Sequence, residues 1–412
     1  MQQNSKRDLV WNYGSILIMA LGGLLFSTII LFFYDNETLG VFNRAYAYYI
    51  VLSQISVCGI HMSVLKRVSD CKYDDTESRN WLATSLALVT AISIAVILLT
   101  DGVLQFVPTT QQRRMSLICI APALLFFSVN KVLLNYINAR VRMVAYAIFQ
   151  ALRNILICVG IIVLAVMRIE GAKLTLAFVI GELILFIALF IYLIAQKEIG
   201  GKISKGLASD LINFGLKILP SNIVLELNTK VDVLCLGWFC SDEALIGIYS
   251  FVTLFTEGFY QVYMVVRRNI NPFLSEWSKD LPRWKKEYGK WTKLCLIAAL
   301  PLSLLLVAAY YVLILILGKT EFTAGLVPLI IISISIAFNG VFIIYGNVMS
   351  QLGNPSRESV ANTITVAVNF TLNIILIILF GVTGAAIATA LSYCCFSVFI
   401  FKYIRKVQEG RI

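Results

Sequence analysis

The chain has 412 residues, 59% of them hydrophobic and 14% charged, with a mean hydropathy of +0.84 and a net charge of +11. So little polar surface cannot cover two or three soluble domains of ordinary size, and the bilayer is the predicted solvent. Nor does the charge point to nucleic acid, because the basic residues follow the turns between apolar runs rather than gathering into one segment.

A spanning helix needs about 20 mostly apolar residues. Twelve such runs are expected, at about 10–33, 42–65, 81–100, 116–137, 143–167, 174–196, 214–239, 245–266, 291–317, 325–349, 359–380 and 383–401. The first is too long for a signal-peptide core and has no small-residue cleavage site behind it, so it is read as span one. Gly22-Gly23 interrupts it. Span two carries Arg44 near its outer end and His61, the only histidine, in its inner third. A lone imidazole there is more often a packing residue than a proton relay, and one histidine with scattered cysteines makes no metal site. Lys131 falls in the inner part of span four, Arg153 near the middle of span five and Glu182 in span six.

At span seven the pattern restarts. Asn12-Tyr13-Gly14 to Leu39-Gly40-Val41-Phe42 is echoed by Asn213-Phe214-Gly215 to Ile246-Gly247-Ile248-Tyr249. Each lead-in is followed by a long apolar run, an acidic turn (Asp35, Glu37; Asp242, Glu243) and a Gly-aromatic entry into the next run. This is a two-fold internal repeat, of the kind that places one central site between two similar bundles in several transporters. Pro220-Ser221-Asn222 interrupts span seven much as Gly22-Gly23 interrupts span one, a correspondence that points to binding sites and moving parts. Span seven also holds Lys217, Glu226, Lys230 and Asp232, and span eight holds Glu257. The connection from Arg267 to Lys293 mixes Trp277, Trp284 and Trp291 with basic residues, which predicts an amphipathic helix lying on anionic lipid. Spans nine to twelve have essentially no mid-membrane charge.

With Lys6 and Arg7 cytoplasmic, the even-numbered turns carry most of the basic residues, including Lys66, Arg67, Lys72, Arg79, Arg140, Arg142, Lys197, Lys202, Lys205 and the dense stretch ending at Lys293. The opposite loops hold only Arg113, Arg114, Arg168, Lys173 and Lys319. Both termini are therefore expected in the cytoplasm. Most of the nine cysteines sit inside apolar runs and only Cys240 is near an external turn, so no disulfide framework is expected. External loops are short, which leaves no room for an extracytoplasmic catalytic domain.

A charge near mid-bilayer costs roughly 2.5–3.5 kcal/mol on insertion scales, so each survivor calls for a reason. Glu226 and Lys230, four apart in the favourable order, either neutralise one another on one helix face or serve the cavity. Lys131, Lys217 and Arg44 are near enough to an interface to snorkel. Arg153 and Glu257 have no opposite charge one turn away, which assigns them to a water-filled cavity. Cations in a polar cavity can hold anionic groups by charge-assisted hydrogen bonds. Arg153, Arg44 and Lys230 are the preferred cations, with Lys131 and Lys217 behind them. Glu257, Asp232 and Glu226 are the candidates for coupling to H⁺ or Na⁺.

Near the C-terminus the sequence reads Asn369-Phe370-Thr371-Leu372-Asn373 and then Gly381-Val382-Thr383-Gly384-Ala385-Ala386-Ile387-Ala388-Thr389-Ala390. With the lead-ins at Asn12 and Asn213, the Gly40 and Gly247 turns, Pro220 and Asp232, this resembles the polysaccharide-exporting branch of the multidrug/oligosaccharidyl-lipid/polysaccharide flippase superfamily. Bacterial O-antigen flippases of the Wzx type are the nearest in character. The resemblance implies an all-α polytopic protein of about twelve transmembrane helices. They would form two six-helix lobes, 1–200 and 201–412, related by a pseudo-two-fold axis along the membrane normal around a central cavity.

The resemblance further implies no enzymatic activity and no cofactor. It implies a multi-pass protein of the inner membrane that flips undecaprenyl-diphosphate-linked oligosaccharide, by alternating access, to the periplasmic leaflet. A polysaccharide polymerase and chain-length machinery are the partners it suggests, beside membrane lipids. Three readings compete. A multidrug exporter of the same superfamily would favour an acidic cavity in the first lobe, where the candidates are basic. A membrane polymerase or glycosyltransferase would need a large outer loop, and a non-transporting scaffold for sugar-assembly enzymes is the third possibility.

Overall fold

The computed structural model describes residues 22–71 and 74–410, apart from the side chains of Leu225 and Pro272. The Asn12-Tyr13-Gly14 lead-in, Lys6, Arg7 and Lys72 lie outside the described residues. Those described are helical between short turns and include no strand. In chain order the helices are α1 (Gly22–Phe33), α2 (Asn36–Val57), α3 (Ile60–Asp70), α4 (Asp75–Phe106), α5 (Gln111–Ile120), α6 (Ala123–Ala139) and α7 (Met143–Val166). They continue with α8 (Leu176–Ala195), α9 (Lys205–Phe239), α10 (Glu243–Trp277), α11 (Leu281–Leu317), α12 (Leu326–Ile344), α13 (Val348–Gln351) and α14 (Pro355–Gln408).

By length and composition seven helical stretches are able to cross a membrane, or eight if the bent pair α2–α3 is one span. The gap to twelve has local causes. The 54-residue α14 carries two of the predicted runs, because Gly381 breaks it with φ 56° and ψ −134°. α1 is described only from Gly22, and α9 and α10 hold too many polar groups to qualify by composition. The fold is thus an all-helical, multi-pass membrane fold.

Side chains just outside the apolar runs start the helices. Asp35 accepts from the Thr38 amide at 2.9 Å to cap α2, and Asp242 accepts from Ala244 and Leu245 at 2.9 and 3.2 Å to cap α10. The two acidic turns of the repeat are therefore the same device used twice, an aspartate satisfying the exposed amides of the next span. Asp74 and Asp280 do the same for α4 and α11.

The helix break expected at Pro220 is absent. α9 runs through Pro220 as one helix, since losing a single backbone hydrogen bond is tolerated in a membrane span when neighbours re-satisfy the freed carbonyl. Gly22-Gly23 lies at the edge of the described residues, where α1 begins, so the segment before it falls outside them. The sharp break is instead between α2 and α3, bent by 45°, where Cys58 and Gly59 take φ 50° and 68°. The region from Arg267 to Lys293 also differs from the expected in-plane helix. α10 runs to Trp277 and α11 begins at Leu281, so two long helices meet at a turn of three residues. Trp284 explains this: it is buried, edge-on to Tyr345 at 6.0 Å, and that anchors the first turns of α11 to protein instead of lipid.

The chain divides into two compact units, residues 1–227 and 228–412. In the first, α6 is the central helix and packs against α2, α3, α4, α7 and α8, burying Val132, Leu133, Tyr136 and Ile137. Close crossings use small residues, as membrane packing favours. A Cβ on Gly160 would come 3.3 Å from Ala177, and one on Gly59 would overlap the carbonyl oxygen of Gly215. In the second unit α12 is central, packed against α10, α11 and α14, and Gly340 admits the Tyr263 ring beside it.

Candidate functional site

Within the first unit, four helices bring polar side chains to one place in the apolar interior. Glu182 on α8 is completely buried. Its Oε1 accepts from Arg153 Nε on α7 at 2.6 Å and from the Tyr49 hydroxyl on α2 at 3.3 Å, and its Oε2 accepts from Asn130 Nδ2 on α6 at 2.8 Å. Arg153, which has no counter-charge within its own helix, thus finds one on α8. Its guanidinium also lies 5.0 Å from the centre of the Phe127 ring, and the ammonium of Lys131 lies 5.3 Å from the same ring. Lys131 donates to Gln54 Oε1 at 3.1 Å and feels the charges of Arg153 and of Glu226 on α9. Two cations therefore lie beside one aromatic ring, whose quadrupole attracts each of them. His61 is buried near Lys131.

The second unit builds two sites from α9. Lys230 donates to Glu257 on α10 at 3.1 Å, with the lysine side chain 15% exposed and the glutamate 46%. Lys230, four residues after Glu226 on α9, thus has a counter-charge on the next helix. Two residues on, Asp232 has a different setting. Its Oδ2 accepts from the Tyr249 hydroxyl at 2.9 Å and from Thr389 Oγ1 at 2.7 Å, and its Oδ1 accepts from Asn373 Nδ2 at 3.0 Å. All three donors are uncharged. Asn373 in turn donates to Asn369 Oδ1 at 2.9 Å.

Of the other candidates, Arg44 is half-buried in the third turn of α2, and Lys217 is exposed on α9. Neither is placed with the Arg153 group by any contact described above. Sequence reasoning named Glu182 without a role and did not find Tyr49, Phe127, Asn130, Gln54 or Tyr249. The only signal for the Asp232 pocket was the motif that supplied the family resemblance: Asn369, Asn373 and Thr389, on either side of the Gly381 break, converge on Asp232.

A further charged group lies at the turns of the first unit. Glu198, buried just after α8, accepts from the Tyr136 hydroxyl at 2.6 Å and from Arg142 at 2.7 Å, and pairs with Arg140 at 3.4 Å. Arg140 also pairs with Asp75 at the start of α4. Burial works against the Arg140 charge, but the Asp75 hydrogen bond and the Glu198 charge outweigh it and raise its pKa above the ordinary arginine value. This network ties four helix ends together, those of α4, α6, α7 and α8, and is a structural brace.

The sequence matches the family described as polysaccharide biosynthesis protein over residues 5–276. It is 30% identical over 207 residues, 48% of its length, to the probable low-salt glycan biosynthesis flippase Agl15 of Haloferax volcanii, and the match spans only 42% of that relative. In fold it is similar to the lipid II flippase MurJ in an inward closed conformation, with a TM-score of 0.79 at 15% identity over 97% of this chain and 87% of that one. It is also similar to an inward-facing multidrug resistance MATE family transporter of the MOP superfamily, with a TM-score of 0.69 at 13% identity over 95% of each chain. At these identities the solved structures speak to the fold.

Proposed function

The chain belongs to the polysaccharide biosynthesis protein family, and on that premise we propose that it is a lipid-linked oligosaccharide flippase without enzymatic activity. Its substrate in this reading is an undecaprenyl-diphosphate-linked O-antigen repeat unit, carried from the cytoplasmic to the periplasmic leaflet of the inner membrane by alternating access. Residues 1–200 and 201–412 act as its two lobes, and both termini face the cytoplasm.

The observation that carries this reading is the pair of cations on Phe127, with ring distances of 5.0 Å for Arg153 and 5.3 Å for Lys131. A lipid diphosphate cannot cross hydrocarbon with its charge bare. Cations already desolvated and held in place can take its phosphates while the acyl chain stays in lipid. Arg153 and Lys131 are the first holding groups, and Arg44, Lys217 and Lys230 are the others. An inside-negative potential favours outward transfer of the anion by about 2.3 kcal/mol per charge per 100 mV.

Resetting of the empty carrier is coupled to H⁺ or Na⁺ at Asp232, because its uncharged donors leave the carboxylate charge for an ion to neutralise. Glu257 and Glu226 are less suited, since Glu257 is paired with Lys230 and Glu226 feels the charge of Lys131.

The test follows a labelled lipid-linked oligosaccharide in inverted vesicles containing the purified protein. Transport above that of empty vesicles, reduced at least tenfold or so by Arg153→Ala and stripped of its ion dependence by Asp232→Asn, is the expected result. With cognate substrate confirmed, no acceleration over empty vesicles refutes the flippase reading. Undiminished ion dependence in Asp232→Asn removes that residue from coupling.

A further inference from the structure

α11 changes character along a single face. Lys286, Lys290, Lys293, Ile297, Leu300 and Leu304 follow one another at steps of four and three residues, which on an α-helix is one continuous stripe. All six are exposed, the last three at 62%, 68% and 61%. Over that stripe the helix passes within one turn from three ammonium groups to three bare aliphatic side chains. Aliphatic exposure of this extent on a membrane protein is contact with acyl chains. The lysines are therefore fixed in depth relative to lipid.

The helix geometry gives that depth. With Leu294, itself 50% exposed, as the first lipid-facing residue, a rise of 1.5 Å per residue places Lys290 about 6 Å and Lys286 about 12 Å above it. The headgroup layer of one leaflet is about 5–8 Å thick. Lys293 and Lys290 lie within it, and Lys286 reaches it from its outer edge with a flexible stem.

Acidic neighbours do little to neutralise the stripe. Between Leu281 and Lys293 there are five basic residues and one acidic residue, Glu287, whose carboxylate is 3.9 Å from Lys290. Arg283 is occupied by Glu276 at 2.7 Å, whereas Lys290 remains 66% exposed. The post is also rigid. Trp284 is buried against Tyr345, and Tyr288 packs on the same ring at 5.3 Å, so the opposite face of these turns is held by protein. A rigid row of cations at headgroup depth, continuous with an acyl-chain surface, complements one molecule that is anionic at one end and aliphatic at the other.

We propose that the Lys286–Lys290–Lys293 stripe of α11 is a binding site for an anionic phospholipid, whose phosphate lies among the three ammonium groups and whose acyl chains run along Ile297, Leu300 and Leu304. The site is separate from the Arg153 and Asp232 groups and does not depend on what the protein transports. It replaces an amphipathic helix floating on the surface with an upright helix that takes lipid along its side.

The experiment is native mass spectrometry of the full chain in detergent, with phosphatidylglycerol and phosphatidylcholine of the same acyl chains added in equal amounts. The wild type should retain phosphatidylglycerol in preference, by about fivefold for each lysine engaged. Lys286→Gln, Lys290→Gln and Lys293→Gln combined should lose more than tenfold of that preference. The three Lys→Arg changes should keep it, as should Lys202→Gln with Lys205→Gln, which alter exposed lysines elsewhere. A melting temperature equal to that of the wild type shows that the triple variant is folded, and Lys293→Gln alone should give the single-lysine step. No preference in the wild type, or an unchanged preference in the folded triple variant, overturns the proposal. Displacement by water-soluble glycerol phosphate at the same concentration would mean that a free phosphate suffices, and the lipid assignment fails.

Discussion

Replacing Glu182 by Gln tests the buried group of the first unit with almost no change in shape. The carboxylate is inaccessible to solvent and accepts from Arg153 at 2.6 Å, Tyr49 at 3.3 Å and Asn130 at 2.8 Å. An amide has one oxygen and one NH₂, so whichever way Gln is turned, either Arg153 or Asn130 faces a donor. A buried guanidinium also loses its counter-charge, and removal of one partner of a buried pair costs about 3–5 kcal/mol. Set against a total stability of about 5–15 kcal/mol for a typical domain, that is a large fraction.

The decisive comparison is with Arg153→Gln and with the double change. When both charges are removed, no unpaired charge remains, so the double variant should cost less than the two single variants together, by about 2 kcal/mol or more. Unfolding in mixed micelles, followed by tryptophan fluorescence, gives the four free energies of the cycle. Costs that add to within about 0.5 kcal/mol would mean that the two side chains do not interact, and the account of the site would fail.

Two further outcomes follow from the first unit. Gly59→Ala should destabilise by about 1–3 kcal/mol, because φ is 68° and the new Cβ would overlap the Gly215 carbonyl; Gly215→Ala should do the same against Cys58, while Gly206→Ala, whose Cβ meets nothing nearer than 3.9 Å, should leave the melting point unchanged or slightly raised. Glu198→Gln should cost about 3–5 kcal/mol in the same unfolding measurement, since Arg140 and Arg142 would lose the carboxylate they share, with little effect on transport by the folded protein.

How much of this could be read beforehand depended on the range of the cause. The acidic turns at Asp35 and Asp242 become helix caps, a matter of three residues, and the sequence repeat displays both. The Asn369–Asn373 pair was visible as a motif, and so was Thr389. Their meeting at Asp232 was not, because it depends on how α14 folds back at Gly381 and on the approach of α9. Glu226 and Lys230 have ideal spacing on one helix, but that spacing does not show Lys230 bonding Glu257 of the next helix at 3.1 Å. Pro220 looked like a break and is not one, while Cys58–Gly59 is a break that no proline announces.

What the sequence determined by itself was the solvent and the chain's relation to it: twelve apolar runs, helical because a bilayer leaves backbone amides no other partner, joined by basic turns and repeated once. Hydrophobic length and local capping are properties of consecutive residues, and consecutive residues are what a sequence displays. The tertiary structure alone decided which buried charges meet, because those pairings join residues from separate helices. Arg153 and Glu182 are 29 positions apart, and Asn373 is 141 from Asp232. In an apolar interior a charge takes whichever partner the packing brings, and only the packing says which that is.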